Sequence, residues 1–465
     1  MLRKSQGILG PERGWMSEIA IIVLAAGKGS RMKSAMPKVM HKVAGRSLLG
    51  HVLHAARPLG VAEAVIVVGP DMDEVAVEAR TVFPGARTAV QRERLGTAHA
   101  VSTARDLLSD FKGTVLVLYG DGPLISSETL NSLVRMAGAG PVVLGFEAKD
   151  PTGYGRLLRD EVGHVVDIRE ELDASPVERM IRLSNSGVIA LSAPLLWQLL
   201  PGIGNSNAKG EYYLTDIVAL AASSGTPFRL AICDEGEVSG VNDRVQLAAV
   251  EAALQDRYRR HHMLSGVTMT APETVYFSAD TEIGQDVSIG PHVVFGPGVR
   301  IETGAEILAF SHIEGAQIAA GARIGPYARL RPGTQIGVNA HVGNFVEMKQ
   351  ATLGNGAKAN HLSYIGDAAV GARANVGAGT ITCNYDGFEK HRTDIGADVF
   401  IGSNTALVAP VKVGDGASVA AGSVVTRDVP EGALAISRPA LELRLGWAQR
   451  LRQIRMSRKS AMKKG

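Results

Sequence analysis

The second half of the chain carries a ladder of aliphatic residues in steps of six. Ile283, Ile289, Phe295, Ile301, Ile307 and Ile313 stand six apart, and Ile318, Ile324, Leu330, Ile336, Val342 and Met348 continue the series after one five-residue step. Ile395, Ile401, Leu407, Val413, Val419 and Val425 resume it farther on. An α-helix repeats about every 3.6 residues and a strand about every two, so neither sustains a period of six. A solenoid does, because each unit supplies one short strand and one corner with the aliphatic residue pointing inward. Gly often follows the ladder residue, as in Ile283-Gly284 and Val413-Gly414, and supplies the tight turn. Three such sides closing a triangular coil predict a parallel β-helix over about residues 267–437.

The first half alternates differently. Residues 19–24, 64–68, 114–118 and 141–144 are short continuous apolar runs, and helix-like stretches such as 47–56 and 98–108 lie between them. Fully apolar strands belong to a parallel sheet covered on both faces, so this is the α/β doubly wound, Rossmann-like pattern, with ligands expected at the carboxyl ends of the strands. From Arg244 to Met263, Val245, Ala248, Ala252 and Leu254 fall in helical register with charges opposite, which predicts a linking helix. The expected organisation is an extension over residues 1–18, an α/β domain over 19–243, a linker helix over 244–263, a β-helix over 264–440 and a basic tail over 441–465.

Composition changes the picture in three places. The 5% of aromatics and the 54 glycines suit thin coils better than a thick sandwich. Cys233 and Cys383 cannot make a disulfide framework, which favours a reducing compartment. Residues 1–15 lack the apolar core of a signal peptide, Met16 is a candidate start, and no apolar run reaches membrane-spanning length, so the expected location is the cytoplasm, with no membrane insertion. The net charge of +3 is a property of the tail: eight basic residues and no acid lie between Arg444 and Lys464, leaving about −5 for the rest. A general nucleic-acid-binding face is therefore not expected.

Directly after the first strand comes Leu24-Ala-Ala-Gly27-Lys28-Gly29-Ser30-Arg31-Met32, then Pro37-Lys38. A Gly-rich turn leaving a strand lets backbone N–H groups approach phosphate oxygens, and Arg31 and Lys38 add full charge. A dinucleotide fingerprint would need Gly where Met32 stands, and the Walker spacing is also absent. The segment resembles instead the signature of nucleoside-diphosphate-sugar pyrophosphorylases. Gln91-Arg-Glu-Arg-Leu95-Gly96-Thr97-Ala98-His99 is similar to that family's base-reading loop, and Tyr119-Gly120-Asp121 ends a buried strand at the site edge. The resemblance implies nucleotide contacts at Leu24, Gly27, Lys38, Gln91, Gly96 and Thr97, with Arg31 catalytic. It implies sugar-phosphate contacts at Tyr119, Gly120, Gly155, Glu170, Asn185 and Asn242, and Mg²⁺ held by Asp121 and Asn242. Ala98 and Arg94 depart from the residues usual there, Gly and Gln, and leave base preference less fixed than reaction type.

Within the ladder lies a dense polar block: Arg331-Pro-Gly, His341 to Lys349, and His361-Leu-Ser-Tyr364-Ile-Gly-Asp367. Asn375 to Gly387 follow, and around 382–394 the period breaks as a loop leaving the coil would. The hexapeptide ladder resembles the left-handed parallel β-helix, an exception to right-handed crossovers. Over residues 19–440, with both halves in order, the chain resembles the bifunctional N-acetylglucosamine-1-phosphate uridyltransferase and glucosamine-1-phosphate N-acetyltransferase family. That resemblance implies acetyl transfer from acetyl-CoA to glucosamine-1-phosphate, then uridylyl transfer from UTP with release of pyrophosphate. It implies His361 as general base, a task suited to imidazole. Arg331, Lys349, Tyr364, Asn375, Asn384 and Tyr385 would hold the amino-sugar phosphate, and Ala378, Ser403, Ala421 and Arg438 would line the acetyl-CoA path. A homotrimer built through the β-helix is expected, and Cys383 is expected to be a bystander. The alternative is a single-activity sugar-1-phosphate nucleotidyltransferase whose β-helix is a structural or regulatory platform.

Overall fold

The computed structural model of the protein describes residues 18–462, so the extension expected over 1–18 lies outside the described residues but for Glu18. The chain divides into two compact units, one ending at Arg260 and the other starting at His261.

Among the described residues, the first unit holds nine main strands: β1 Ile19–Leu24, β2 Glu63–Val68, β3 Arg87–Val90, β4 Thr114–Tyr119, β5 Val142–Glu147, β6 Arg156–Arg159, β7 Val165–Arg169, β8 Leu183–Ser192 and β9 Arg229–Ile232. They run in the order β9-β5-β8-β4-β1-β2-β3, with β6 pairing β8 and β7 pairing β6. β1 is parallel to both β2 and β4, so its side chains alternate between two apolar layers. Ala20 and Ile22 enter one layer, and Ile19, Ile21 and Val23 the other. Each fully buried isoleucine contributes about 1.5–3 kcal/mol.

Two expectations are corrected here. The sheet is mixed rather than wholly parallel, because β8 runs antiparallel between β4 and β5. That strand opens with the polar run Ser184-Asn185-Ser186-Gly187, so it does not show as a continuous apolar segment. The helix expected over 98–108 closes early: helix Thr97–Ser102 is followed by a separate turn at Asp106–Leu108. Ser102 Oγ and Thr103 Oγ1 donate to the carbonyls of His99 and Ala100 at 2.7 Å each, hydroxyl bonds that compete with the helical ladder. The stretch 47–56 becomes helix Leu48–Ala56, with Ser47 as N-cap accepting from Gly50 N.

Helix Arg244–Leu264 forms, but with a different buried stripe. Val245 is exposed, as are Ala248 and Ala252, whereas Val250 and Leu254 are buried with Met32, Val43, Leu48, Leu124 and Val241. The apolar residues that pack are those one turn apart along that seam, and alanines at the other positions cost nothing in water.

The second unit is a left-handed parallel β-helix of the hexapeptide-repeat kind. Its strands are two to a few residues long and pair with the same face of the coils above and below, so three inward columns run along it. Ile307, Ile324, Val342, Ala359, Val376 and Ile401 form one column. Ile301, Ile318, Ile336, Leu353, Val370 and Ile395 form the second. The third passes from Ile313 through Leu330, Met348 and Ile365 to Thr382, Leu407 and Val425. The ladder therefore continues unbroken between Met348 and Ile395. Thr382 occupies an aliphatic position at 1% exposure, and its hydroxyl accepts from Gly366 N at 2.8 Å and donates to Gly366 O at 3.0 Å. Burial without an unpaired polar atom is thereby kept.

One corner of the coils bears His292, Phe310, Tyr327, Phe345 and Leu362, all with φ between 49° and 60°. A left-handed backbone at a bulky residue costs roughly 1–2 kcal/mol. The rings stack from coil to coil at centroid separations of 4.9, 4.8 and 5.2 Å, and each such pair returns about 0.5–1.5 kcal/mol. At the following coils the same corner position is Gly379, Asn404 and Gly422, so the ridge ends just past Leu362.

Candidate functional site

In the α/β unit the carboxyl ends of β1 and β4 place Leu24 and Tyr119 side by side in register. The loop after β1 turns through Gly29 at φ +59°, where a Cβ would stand 2.5 Å from Lys38 Cβ. Only glycine lets the loop lie directly on Lys38. A Cβ on Gly27 would meet nothing within 4 Å, so that backbone is open to a ligand.

Four expected residues converge. Lys38 Nζ pairs with Asp121 Oδ2, and it lies 3.3 Å from Asn242 Oδ1. Arg31 Nη2 donates to the same amide oxygen at 2.9 Å. Two cavities adjoin this cluster, and Tyr119 and Asp121 line both. One, of about 300 Å³, is lined by Leu24, Gly27, Lys38, Gln91, Gly96 and Thr97, together with Arg94 and Glu211. The other, of about 580 Å³, is lined by Arg31, Asn185 and Asn242, with Gly153, Tyr154 and Lys209.

Local structure explains several placements. Gly96 has φ +119°, and a Cβ there would sit 2.4 Å from Tyr212 O. Gln91 is buried and donates from Nε2 to Gly96 O at 3.0 Å, tying the ends of that loop together. β8 shifts register between Asn185 and Ile189, a bulge in which Asn185 Oδ1 accepts from Gly187 N at 3.0 Å. Such a bulge re-aims side chains beside a site. Burial pushes the Tyr119 phenol well above its ordinary range, with Glu170 and Asp121 adding repulsion, so it stays neutral.

Gly120, Gly155 and Glu170 line neither cavity. Gly120 N donates to Leu24 O at 3.0 Å and joins the two strand ends. A Cβ on Gly155 would stand 3.4 Å from Glu170 Oε1, so these two are neighbours. Glu170 accepts from Thr215 Oγ1 at 3.1 Å, and burial raises its pKa above the usual carboxylate value. Lys209 and Tyr154 went unread in the sequence because nothing in their spacing marks them.

On the β-helix, strand pairing sets the geometry. Asn344 pairs with His361, each two residues past its ladder residue. Ala378, Ser403 and Ala421 hold that position on the next three coils, past Val376, Ile401 and Val419. The expected base and three expected coenzyme contacts thus form one column, and Arg438 Nη1 donates to Ala421 O at 2.6 Å at its far end. Round the corner, Glu347 pairs with Tyr364 and Lys349 with Gly366. Arg331 Nη1 donates to Glu347 Oε1 at 2.9 Å.

Lys349 lies against Lys390, a residue the sequence reading missed, and the hydrogen bond and charge of Lys390, then the charge of Arg331, hold its pKa below the ordinary lysine value. Like charges gathered this way await an anion. Lys390 belongs to the excursion from the coil: where ordinary coils bring together residues 17 or 18 apart, Arg373 reaches Asp398 across 25. Asp386 organises that loop, accepting from Glu389 N, His391 Nε2 and Phe388 N, and these bonds hold its carboxyl far below the usual range. Asn384 Nδ2 donates to Asp367, and Tyr385 OH donates to Gly387 O at 2.7 Å. Asn375 stands apart from this group, on the strand paired with Lys358 and Phe400.

Comparison with known proteins follows the same division. Residues 21–182 match the MobA-like NTP transferase domain, and residues 280–315 and 392–427 match the bacterial transferase hexapeptide (six repeats). The bifunctional protein GlmU of Azorhizobium caulinodans is 55% identical over 444 residues, covering 95% of this chain and 99% of its own. The chain belongs to the bifunctional GlmU family. GlmU of Paramagnetospirillum magneticum is 54% identical over 449 residues, 96% of this chain and 99% of its own, and that of Paracoccus denitrificans is 53% identical over 435, 94% and 97%. As a GlmU family member the chain is a two-activity transferase of UDP-N-acetylglucosamine synthesis, a nucleotidyltransferase and an acetyltransferase in one polypeptide.

Proposed function

We propose that the α/β unit transfers uridylyl groups at the Arg31–Lys38–Asp121–Asn242 cluster and that the β-helix transfers acetyl groups at His361. The observation that supports this most is the meeting of two cations, one carboxylate and one amide oxygen where two cavities adjoin. The smaller cavity takes UTP through Leu24, Gly27, Gln91, Gly96 and Thr97. The larger takes N-acetylglucosamine-1-phosphate through Tyr119, Asn185 and Asn242, with Gly120, Gly155 and Glu170 standing behind its lining.

Asp121 and Asn242 offer two side-chain oxygens, and among the described residues no group of three or more His, Cys, Asp or Glu could hold a metal. That sparse oxygen set fits Mg²⁺, which takes few protein ligands and completes its shell with phosphate and water. When bound it supplies neutralisation of phosphate charge. Arg31 and Lys38 orient the triphosphate and offset negative charge on the transferring phosphorus and on the departing pyrophosphate. A sugar-phosphate oxygen attacks the α-phosphorus as the bond to pyrophosphate breaks, and no side-chain nucleophile is needed.

At the second site Arg331 and Lys349, with Lys390, hold the phosphate of glucosamine-1-phosphate. Tyr364, Asn384 and Tyr385 surround the amino sugar, and Asn375, on a separate strand, is kept as a substrate contact on the family resemblance alone. The amine nitrogen attacks the thioester carbonyl of acetyl-CoA, His361 takes its proton, and the C–S bond breaks as that proton passes to the sulfur, which leaves as a thiol. Ala378, Ser403, Ala421 and Arg438 mark the coenzyme path. A homotrimer packs the flat faces of the prism about a threefold axis, and the proposed domains are 19–243, 244–263 and 264–440. The partners are small molecules and other copies of the chain, with no nucleic acid. No helix among the described residues is long and apolar enough to cross a membrane, and the proposed location is the cytoplasm.

The test incubates the protein with glucosamine-1-phosphate, acetyl-CoA, UTP and Mg²⁺ and follows free thiol and pyrophosphate separately. Release of both, with pyrophosphate dependent on Mg²⁺, is expected. Thiol release surviving in His361→Ala would overturn the acetyl assignment.

A further inference from the structure

His361 is exposed, lies at a corner of the coil, and has one of its ring nitrogens engaged. Its Nδ1 lies 2.8 Å from Asn344 Oδ1, the side chain directly beneath it in the strand register. We propose that Asn344 is a positioning residue for acetyl transfer: its amide oxygen accepts from Nδ1–H of His361 and so leaves Nε2 unprotonated and aimed outward as the base. The inference rests on the reading of His361 as that base.

The argument is one of tautomers. A neutral imidazole carries one N–H and one lone pair, and the partner of one nitrogen decides which is which. An acceptor at Nδ1 fixes the proton there. The partner is rigid, since Asn344 ends a strand whose next residue, Phe345, is locked at φ +57° in the stacked ring column. The neighbouring coil therefore holds the ring through this one bond. An uncharged amide does this without the added negative charge that a carboxylate would bring beside the ring. Charged groups on the coils packed against it are His341 and Lys358 on the same face, and Glu347, Asp367 and Lys349 round the corner.

Three variants separate the alternatives, with the thermal unfolding profile of the full chain as the control for folding, since uridylyl transfer reports only on the other unit. Asn344→Leu removes the acceptor and should lower kcat for acetyl transfer about 10- to 100-fold with little change in KM for glucosamine-1-phosphate. Asn344→Asp keeps an acceptor, and can only accept, so it should retain kcat within a few-fold. Its added negative charge should move the acid limb of the kcat profile upward by about one pH unit. His361→Ala should abolish thiol release whatever stands at position 344. If His361→Ala is inactive while Asn344→Leu matches the parent, Asn344 does not position the ring. If Asn344→Asp is as damaged as Asn344→Leu, the amide donates rather than accepts and the proposed tautomer is wrong. If His361→Ala keeps its activity, the reading of the base itself fails, which is a different result from either.

Discussion

Lys38 and Asp121, 83 positions apart in sequence, form an ion pair where the two cavities of the α/β unit meet. Both side chains are largely buried, at 13% and 20% exposure, so neither charge is well served by water. The pair holds a carboxylate at the site edge and a cation beside it before any phosphate arrives. Asp121→Ala should lower uridylyl transfer by about a hundredfold or more, the scale of a lost electrostatic contact in a closed site. Acetyl transfer should be unchanged, and a pyrophosphate assay beside a thiol assay measures both. Undiminished pyrophosphate release would remove Asp121 from the reaction.

The two activities should part cleanly by mutation, because the clusters stand on different folds. Arg31→Ala is expected to abolish pyrophosphate formation and spare thiol release, and His361→Ala to abolish thiol release and spare pyrophosphate formation from supplied N-acetylglucosamine-1-phosphate and UTP. A folded protein in which either change erased both would contradict two separate sites.

Gly96→Ala tests backbone geometry without touching charge. At φ +119°, with Tyr212 O 2.4 Å from the added carbon, the loop must shift. A loss of roughly 1–3 kcal/mol in stability is expected, with a raised KM for UTP. Calorimetry and a UTP titration check it; an unaltered KM would detach this loop from nucleotide binding.

His51 gives the α/β unit an acid limit. Burial is the main cause that lowers its pKa from 6.5 to about 4, while its Nε2–H donates to Val43 O at 2.9 Å. The folded state therefore keeps the ring neutral where the unfolded chain takes a proton. The stability this carries is whole above pH 6.5 and is lost as pH falls toward 4, by about 3 kcal/mol at most. His51→Gln should flatten the fall of Tm between pH 6.5 and 4. An equally steep fall in the variant would place the acid sensitivity elsewhere.

Much of this molecule is legible in its sequence, and the illegible parts have physical reasons. The six-residue ladder declares the β-helix because most inward positions are aliphatic, and Ile, Val and Leu announce themselves. Between Met348 and Ile395 the ladder passes through Ala359 and Thr382, a small residue and a hydroxyl, and drops from view although both are buried. The glycine loop and Asp121 are readable because their chemistry is local to a few residues. Lys390 and Asn344 are not: one is carried in by an excursion, and the other matters only once strand register sets it against His361. The linking helix shows the limit of periodicity alone, since Val245 fits the pattern and faces water while Val250 lies in the seam.

The column that begins at His361 and climbs through Ala378, Ser403 and Ala421 toward Arg438 has the properties of a ruler. Each coil is one graduation of about 4.8 Å, fixed by backbone hydrogen bonding and not by side chains. The distance between the His361 ring at one end and the guanidinium that reaches Ala421 O at the other is then counted in whole coils, roughly 14 Å for three steps. A scaffold of this kind can match a donor of different length only by gaining or losing an entire coil. On the proposed reading its choice of acyl carrier is quantised, whereas the acceptor side, beside the loop that leaves the coil near Asp386, carries no such step.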